Sequence, residues 1–207
     1  MPLFLAIEGI DGSGKTTTMG EIERFLLSRG HVVHRTAEPT GYEIGRTIRS
    51  LLTCKQERAF LHHELALLFA ADRLRHLAEE IEPALAAGKT VISDRYLFSS
   101  LAYQSVRLPY EWVKELNRFA RLPDIVIYIE VSIETALSRI TRFREGVEIF
   151  ETRDFLGKLT THYDHILTEY ADRVTIVRMS GEVAMEEIAA EVERSLSKIF
   201  PLTNKRI

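Results

Sequence analysis

Residues 9–17 read Gly9-Ile10-Asp11-Gly12-Ser13-Gly14-Lys15-Thr16-Thr17, a complete Gly-x-x-x-x-Gly-Lys-Thr. Leu3-Phe4-Leu5-Ala6-Ile7 before it is apolar and of strand length, and Met19, Ile22, Phe25 and Leu26 after it recur at helical spacing. Strand, glycine loop and helix in this order are the setting in which the pattern cradles a triphosphate. The glycines let the backbone curl so that successive N–H groups point inward at phosphate oxygens. The helix that begins near Lys15 adds the positive end of its dipole. On this reading Gly9, Ile10, Asp11, Gly12, Ser13, Gly14, Lys15, Thr16 and Thr17 form a nucleoside triphosphate site. Lys15 reaches the β- and γ-phosphates, and the Thr16 hydroxyl holds Mg²⁺. A glycine turn with no ligand is the competing reading, and the strand and helix on either side argue against it.

The chain has 207 residues, of which 45% are hydrophobic, and a net charge of −3. That length suits one domain with a full core. The charge provides no global pull toward nucleic acid or a membrane surface. No apolar run is long enough to span a bilayer, and the N-terminus enters a strand without a basic leader. A single cysteine, Cys54, excludes an internal disulfide and a cysteine metal site. These features lead us to expect a cytoplasmic protein.

Strand and helix patterns alternate along the chain. Strands are predicted at 3–7, 31–35, 90–93, 124–129 and 174–177. Helices are predicted at 17–27, 44–52, 60–85, 99–106, 110–119, from Ser132 onward, at 150–170 and at 183–200. The expected fold is α/β, a five-stranded parallel sheet with helices on both faces. We expect one domain over 1–207, with a short mobile lid at about 139–151 and a frayed tail at 201–207. The lid reading comes from Arg139, Arg142 and Arg144, followed by Glu145-Gly146.

Three kinds of protein use such a loop. A switch GTPase should carry Asp-x-x-Gly after its third strand. Asp154-Phe155-Leu156-Gly157 matches in letters but falls within a predicted helix. Asn204-Lys205 lies in the tail and lacks the aspartate a GTPase would need. A mechanical ATPase usually ends a strand in an acidic pair, whereas here a single Asp94 is followed by Arg95. A small kinase remains. Bringing two anionic nucleotides together requires cations, and the chain has Arg46, Arg49, Arg73, Arg95, Arg139, Arg142 and Arg144 near the ends of its elements. Any one surface arginine can be merely solvated. Arg95 stands apart because strand carboxyl ends form the ligand crevice of open α/β sheets.

At this point the residues resemble the thymidylate kinase family, P-loop enzymes that phosphorylate dTMP to dTDP with ATP. The resemblance runs from Leu3 to about Val177. It is carried by Ile7-Glu8-Gly9 through Thr17, Glu38-Pro39-Thr40, Ile48-Arg49-Ser50-Leu51-Leu52, Leu67-Leu68-Phe69-Ala70-Ala71-Asp72-Arg73, Asp94-Arg95-Tyr96 with Ser99-Ser100-Leu101-Ala102-Tyr103-Gln104, and Phe150-Glu151. The resemblance implies a dTMP site of Asp11, Glu38, Pro39, Arg49, Phe69, Arg73, Arg95, Ser99, Ser100, Tyr103 and Gln104. Phe69 would stack on thymine, though core packing is the plainer reading of an aromatic in a long apolar helix. Arg73 would donate to a thymine carbonyl, and Arg49 and Arg95 would grip the acceptor phosphate. Tyr103 would crowd the sugar 2′ position. Catalysis would fall to Lys15, Arg95, Arg142 and Arg144. Mg²⁺ would be held by Thr16, by Asp94 through water, and by Asp11 as a further candidate. The family also implies a homodimer, with neither nucleic acid nor membrane as partner.

The chain departs from the family pattern in two places. Ala37-Glu38-Pro39-Thr40-Gly41 lacks an arginine and a glycine of the usual Arg-Glu-Pro-Gly-Gly-Thr. Gly12 stands where some members carry a basic residue, which points to a catalytic arginine supplied by the lid, with Arg139 and Arg153 as further candidates. A broader nucleoside monophosphate kinase and a P-loop ATPase without acceptor are the alternative functions.

Overall fold

The computed structural model describes residues 2–53, 60–143 and 152–201. Five parallel strands form one sheet in the order β2-β3-β1-β4-β5. They are β1 (Phe4–Glu8), β2 (Val33–Ala37), β3 (Thr90–Asp94), β4 (Ile125–Glu130) and β5 (Thr175–Ser180). The helices are α1 (Lys15–Ser28), α2 (Glu43–Leu52), α3 (Leu61–His76), α4 (Glu82–Ala86), α5 (Leu97–Ser105), α6 (Tyr110–Leu116), α7 (Ile133–Phe143), α8 (Arg153–Tyr170) and α9 (Ile188–Leu196).

The central strand explains the two-layered cover. All five residues of β1 are buried, as expected of a parallel strand packed on both faces. Phe4 and Ala6 join one core with α5 and α8, while Leu5 and Ile7 join another with α1 and α9. A third, smaller cluster joins Ile48 of α2 to Leu61 and Leu65 of α3. Register brings Ile7 level with Asp94 and Glu8 level with Tyr128, so the strand carboxyl ends lie together.

The predicted fold class holds, and the differences lie in boundaries. The second strand runs two residues later than its apolar letters suggested, because pairing with β3 extends it to Ala37 opposite Asp94. The predicted helix 60–85 is interrupted by a π-helical turn at Leu77–Ile81. The strand at 174–177 continues to Ser180 alongside β4. The helix expected from 110 to 119 ends at Leu116. The closing helix is shorter than 183–200, being preceded by a 3₁₀ turn at Met185–Glu187. Thr152 Oγ1 accepts from the Phe155 N–H and starts α8 at Arg153. Asp154–Gly157 therefore lies in helix. Cys54, Phe150, Glu151 and most of the expected lid and tail lie outside the described residues.

Candidate active site

The Gly9–Thr17 loop joins β1 to α1, and Gly14 takes a left-handed conformation just before α1 starts at Lys15. Gly12 has the tightest surroundings. Its φ is +76°, and a Cβ there would fall 2.5 Å from the Ala136 carbonyl oxygen of α7. A side chain is excluded twice, by backbone conformation and by space. The absence of a basic residue at this position therefore has a physical reason.

Lys15 is buried. Its Nζ donates to the carbonyls of Ile10 (2.8 Å) and Gly9 (3.1 Å). Burial, aided by nearby Arg95, lowers its pKa to about 8. Thr16 and Thr17 are exposed at the start of α1.

Two cavities open at the strand carboxyl ends. The larger, about 750 Å³, contains Gly12–Thr18, Asp94, Arg139 and Arg142 in its wall. The smaller, about 310 Å³, contains Phe69, Arg73, Ser99, Ser100, Tyr103 and Gln104 in its wall. Asp11, Glu38, Pro39, Arg49 and Arg95 line both. Thus every residue expected from sequence to touch the acceptor lies on the smaller cavity.

Arg95 sits at the junction. Its backbone has φ +65°, rare for a non-glycine residue, and such strain clusters at functional sites. Its side chain donates to Asp11 Oδ1 (2.6 Å), Tyr103 Oη, Ser99 Oγ and the Gly9 carbonyl (3.1 Å each). Tyr103 also donates to Asp11 Oδ2 at 3.0 Å. Burial and the neighbouring Asp11 carboxylate push the Tyr103 hydroxyl pKa well up, against the lowering effect of Arg95.

The far wall of the smaller cavity is tied together by Arg73. This side chain is 1% exposed. It donates to Glu38 Oε2 (2.6 Å), Ser100 Oγ (2.8 Å), the Tyr96 carbonyl (3.1 Å) and Asn117 Oδ1. Glu38 also meets His76 Nδ1 at 3.1 Å. Most of the arginine's donors are therefore engaged by protein, and its Nε is buried without a protein partner, as is Gln104 Oε1. Phe69 reconciles its two readings: it packs on the α2–α3 cluster and also lines the cavity. Arg49 donates to the Thr40 carbonyl at 2.6 Å and to that of Pro39.

The other candidate arginines separate cleanly. Arg139 and Arg142 line the larger cavity, and Arg139 donates to the Gly12 carbonyl at 3.3 Å. Arg46 and Arg153 line neither cavity. They bind the Gly41 carbonyl (2.8 Å) and Glu134 (2.6 Å). Arg35 of β2 lines neither cavity and pairs with Glu23. Arg144 lies outside the described residues.

Asp94 ends β3 on the larger cavity, and its Oδ1 is buried without a protein partner. An orphaned carboxylate oxygen on the same cavity as the exposed Thr16 suits a hard cation with oxygen ligands. These residues therefore fit Mg²⁺.

Several participants were not singled out from sequence. Glu8, the last residue of β1, is fully buried and bonded to α5 and to Tyr163 of α8. A carboxylate ending an apolar strand was a signal that could have found it. Thr40 binds Asp72 through its backbone N–H (2.7 Å) and hydroxyl (2.6 Å). The end of β5 and the connection after it supply Ser180, Gly181, Val183 and Met185 to the larger cavity, and the glycine after a strand was its only sequence signal.

Among the described residues, no helix is long and apolar enough to cross a membrane. A family model described as thymidylate kinase matches residues 7–192. A probable thymidylate kinase from Thermococcus onnurineus is 36% identical over 204 residues, covering 95% of this chain and 100% of the relative. One from Methanococcus aeolicus is 42% identical over 173 residues, covering 82% and 81%. A thymidylate kinase from Geobacillus thermodenitrificans is 36% identical over 203 residues, covering 92% and 90%. The loop, the paired cavities and this similarity across nearly the whole chain agree: the chain belongs to the thymidylate kinase family.

Proposed function

We propose that the two cavities divide the reaction of the family, transfer of the γ-phosphoryl group from ATP to dTMP to give dTDP and ADP. The larger takes the donor and the smaller the acceptor. The observation that carries this reading is the wall they share, where Arg95 and Asp11 meet at 2.6 Å between the phosphate loop and the smaller cavity. Phosphoryl transfer needs positioning and charge stabilisation more than covalent chemistry.

In this reading, Lys15 leaves the loop carbonyls to meet the donor phosphates. Arg95 and Arg49 hold the acceptor phosphate. Ser100, Gln104 and Arg73 face the base edge. The orphaned Gln104 Oε1 and Arg73 Nε support this, since one accepts and the other donates. Phe69 offers its ring face to the base, and Tyr103 borders the sugar. Arg139 and Arg142 are the described candidates for a lid cation, with Arg144 a third. Thr16 and Asp94, with Asp11 as a further candidate, would hold Mg²⁺, which neutralises phosphate charge when bound.

An ADP-release assay with a series of monophosphates tests the function. Stimulation by dTMP above all others is the expected result. Stimulation by another monophosphate but not dTMP would replace the acceptor, and stimulation by none would leave an ATPase.

We also propose a homodimer through α3, where Leu67 (51% exposed) and Leu74 (44%) lie two turns apart on one face. Sedimentation should show a dimer in the wild type and a monomer in Leu67→Glu/Leu74→Glu.

A further inference from the structure

We infer that Glu8 is a positioning residue for the acceptor arginine, acting through the Ser99 hydroxyl on Arg95. The inference rests on the assignment of Arg95 to the acceptor phosphate.

Glu8 is completely buried and takes four hydrogen bonds. Its Oε1 accepts from the backbone N–H groups of Tyr96 (3.0 Å) and Ser99 (3.2 Å), at the start of α5. Its Oε2 accepts from Ser99 Oγ (2.6 Å) and Tyr163 Oη (3.0 Å). One carboxylate thus caps the helix that carries Ser99, Ser100, Tyr103 and Gln104. It also begins a relay, because Ser99 Oγ lies 3.1 Å from Arg95 Nη1.

The direction of this relay follows from the chemistry of its members. An ionised carboxylate only accepts, and a guanidinium only donates. With Glu8 ionised, Ser99 gives its proton to Glu8 and offers a lone pair to Arg95. This fixes one edge of the guanidinium while Asp11 and Tyr103 fix the other. Burial raises the Glu8 pKa, and the bonds from Ser99 and Tyr163 and the charge of Arg95 oppose that rise.

A purely structural role does not account for such a group. Enclosing a carboxylate is costly, and an apolar side chain often fills such a place as well or better. The strained left-handed backbone of Arg95 immediately precedes the capped turn. The same carboxylate therefore sets both the turn that aims Arg95 and the hydroxyl that orients its head.

Glu8→Gln keeps the shape but puts an N–H donor where one acceptor oxygen stood. It should then lower kcat/KM for dTMP and weaken calorimetric dTMP binding, by about 10- to 100-fold for a displaced positioning group, with KM for ATP within about twofold. The decisive measurement is a cycle with Arg95→Ala. If Glu8 acts through Arg95, Glu8→Gln adds less than about threefold in that background. Equal losses in both backgrounds, or no loss in Glu8→Gln alone, would overturn the inference. Normal dTMP binding and turnover in Arg95→Ala would instead overturn the acceptor-site assignment beneath it. Should Glu8→Gln not fold, Ser99→Ala runs the same cycle, and additivity with Arg95→Ala would equally defeat the relay.

Discussion

Arg95 Nη2 lies 2.6 Å from Asp11 Oδ1, although the two residues are 84 positions apart. This pair joins the phosphate loop after β1 to the turn after β3, and it forms part of the wall of both cavities. It exists because β1 and β3 are adjacent and parallel, with Ile7 level with Asp94.

The first prediction concerns this pair. Asp11→Asn should reduce kcat/KM for dTMP by about 10- to 100-fold, because Arg95 loses its charged partner and its aim. Stability should fall by about 1–3 kcal/mol, because the two side chains are only 17% and 21% exposed and a hydrogen bond to a charged partner is weakened. Steady-state kinetics with a denaturant titration check both parts. Unaltered dTMP kinetics would separate the pair from the reaction.

Gly12 provides a second test. Gly12→Ala should destabilise the protein by about 1–3 kcal/mol, since the residue is left-handed and its Cβ would press on the Ala136 carbonyl of α7. KM for ATP should rise as well, because the loop or α7 must shift. Thermal unfolding and ATP kinetics are the readouts. A variant as stable as the wild type would show that α7 yields freely.

Arg73 and Arg49 should behave differently although both line the smaller cavity. Arg73→Met leaves Glu38 buried with only His76 opposite, and loss of one partner of a buried pair costs about 3–5 kcal/mol. Among the described residues Arg49 is exposed and donates to two backbone carbonyls, so Arg49→Ala should cost less than about 1 kcal/mol while weakening dTMP binding. Urea unfolding and dTMP titration of the two variants distinguish stability from binding.

Lys15 predicts a pH dependence of the nucleotide-free protein. Its pKa is about 8 in the fold, against an unfolded value of 10.5, because burial disfavours the charged form. The folded state then binds fewer protons than the unfolded chain between these values, so this residue makes stability rise with pH across that window. Its penalty is fully present below pH 8 and is relieved by about pH 10.5, with an amplitude on the order of 3 kcal/mol. Urea midpoints of wild type and Lys15→Met, compared from pH 7 to 10, isolate the effect. Parallel curves would mean that the ammonium is solvated.

Much of the molecule was legible without coordinates because its signals are local. The phosphate loop occupies nine consecutive residues, and its chemistry comes mainly from its own backbone. The apolar runs at 3–7, 90–93 and 124–129 mark buried strands by composition alone. Boundaries moved where a neighbour decided them: β2 reaches Ala37 and β5 reaches Ser180 only because β3 and β4 continue beside them.

The sequence by itself thus determined a parallel α/β sheet, a glycine-rich loop between its first strand and helix, and the residues that line a second cavity beside it. It could not decide what those side chains touch. Tertiary structure alone turned Arg73 inward to Glu38 and Asn117, placed α7 against Gly12, and set Glu8 beneath Ser99 and Tyr163. The physical reason is range. A backbone cradle is encoded within one turn of chain, whereas the orientation of a buried charge depends on partners up to 155 residues away, brought to it only by the packed sheet.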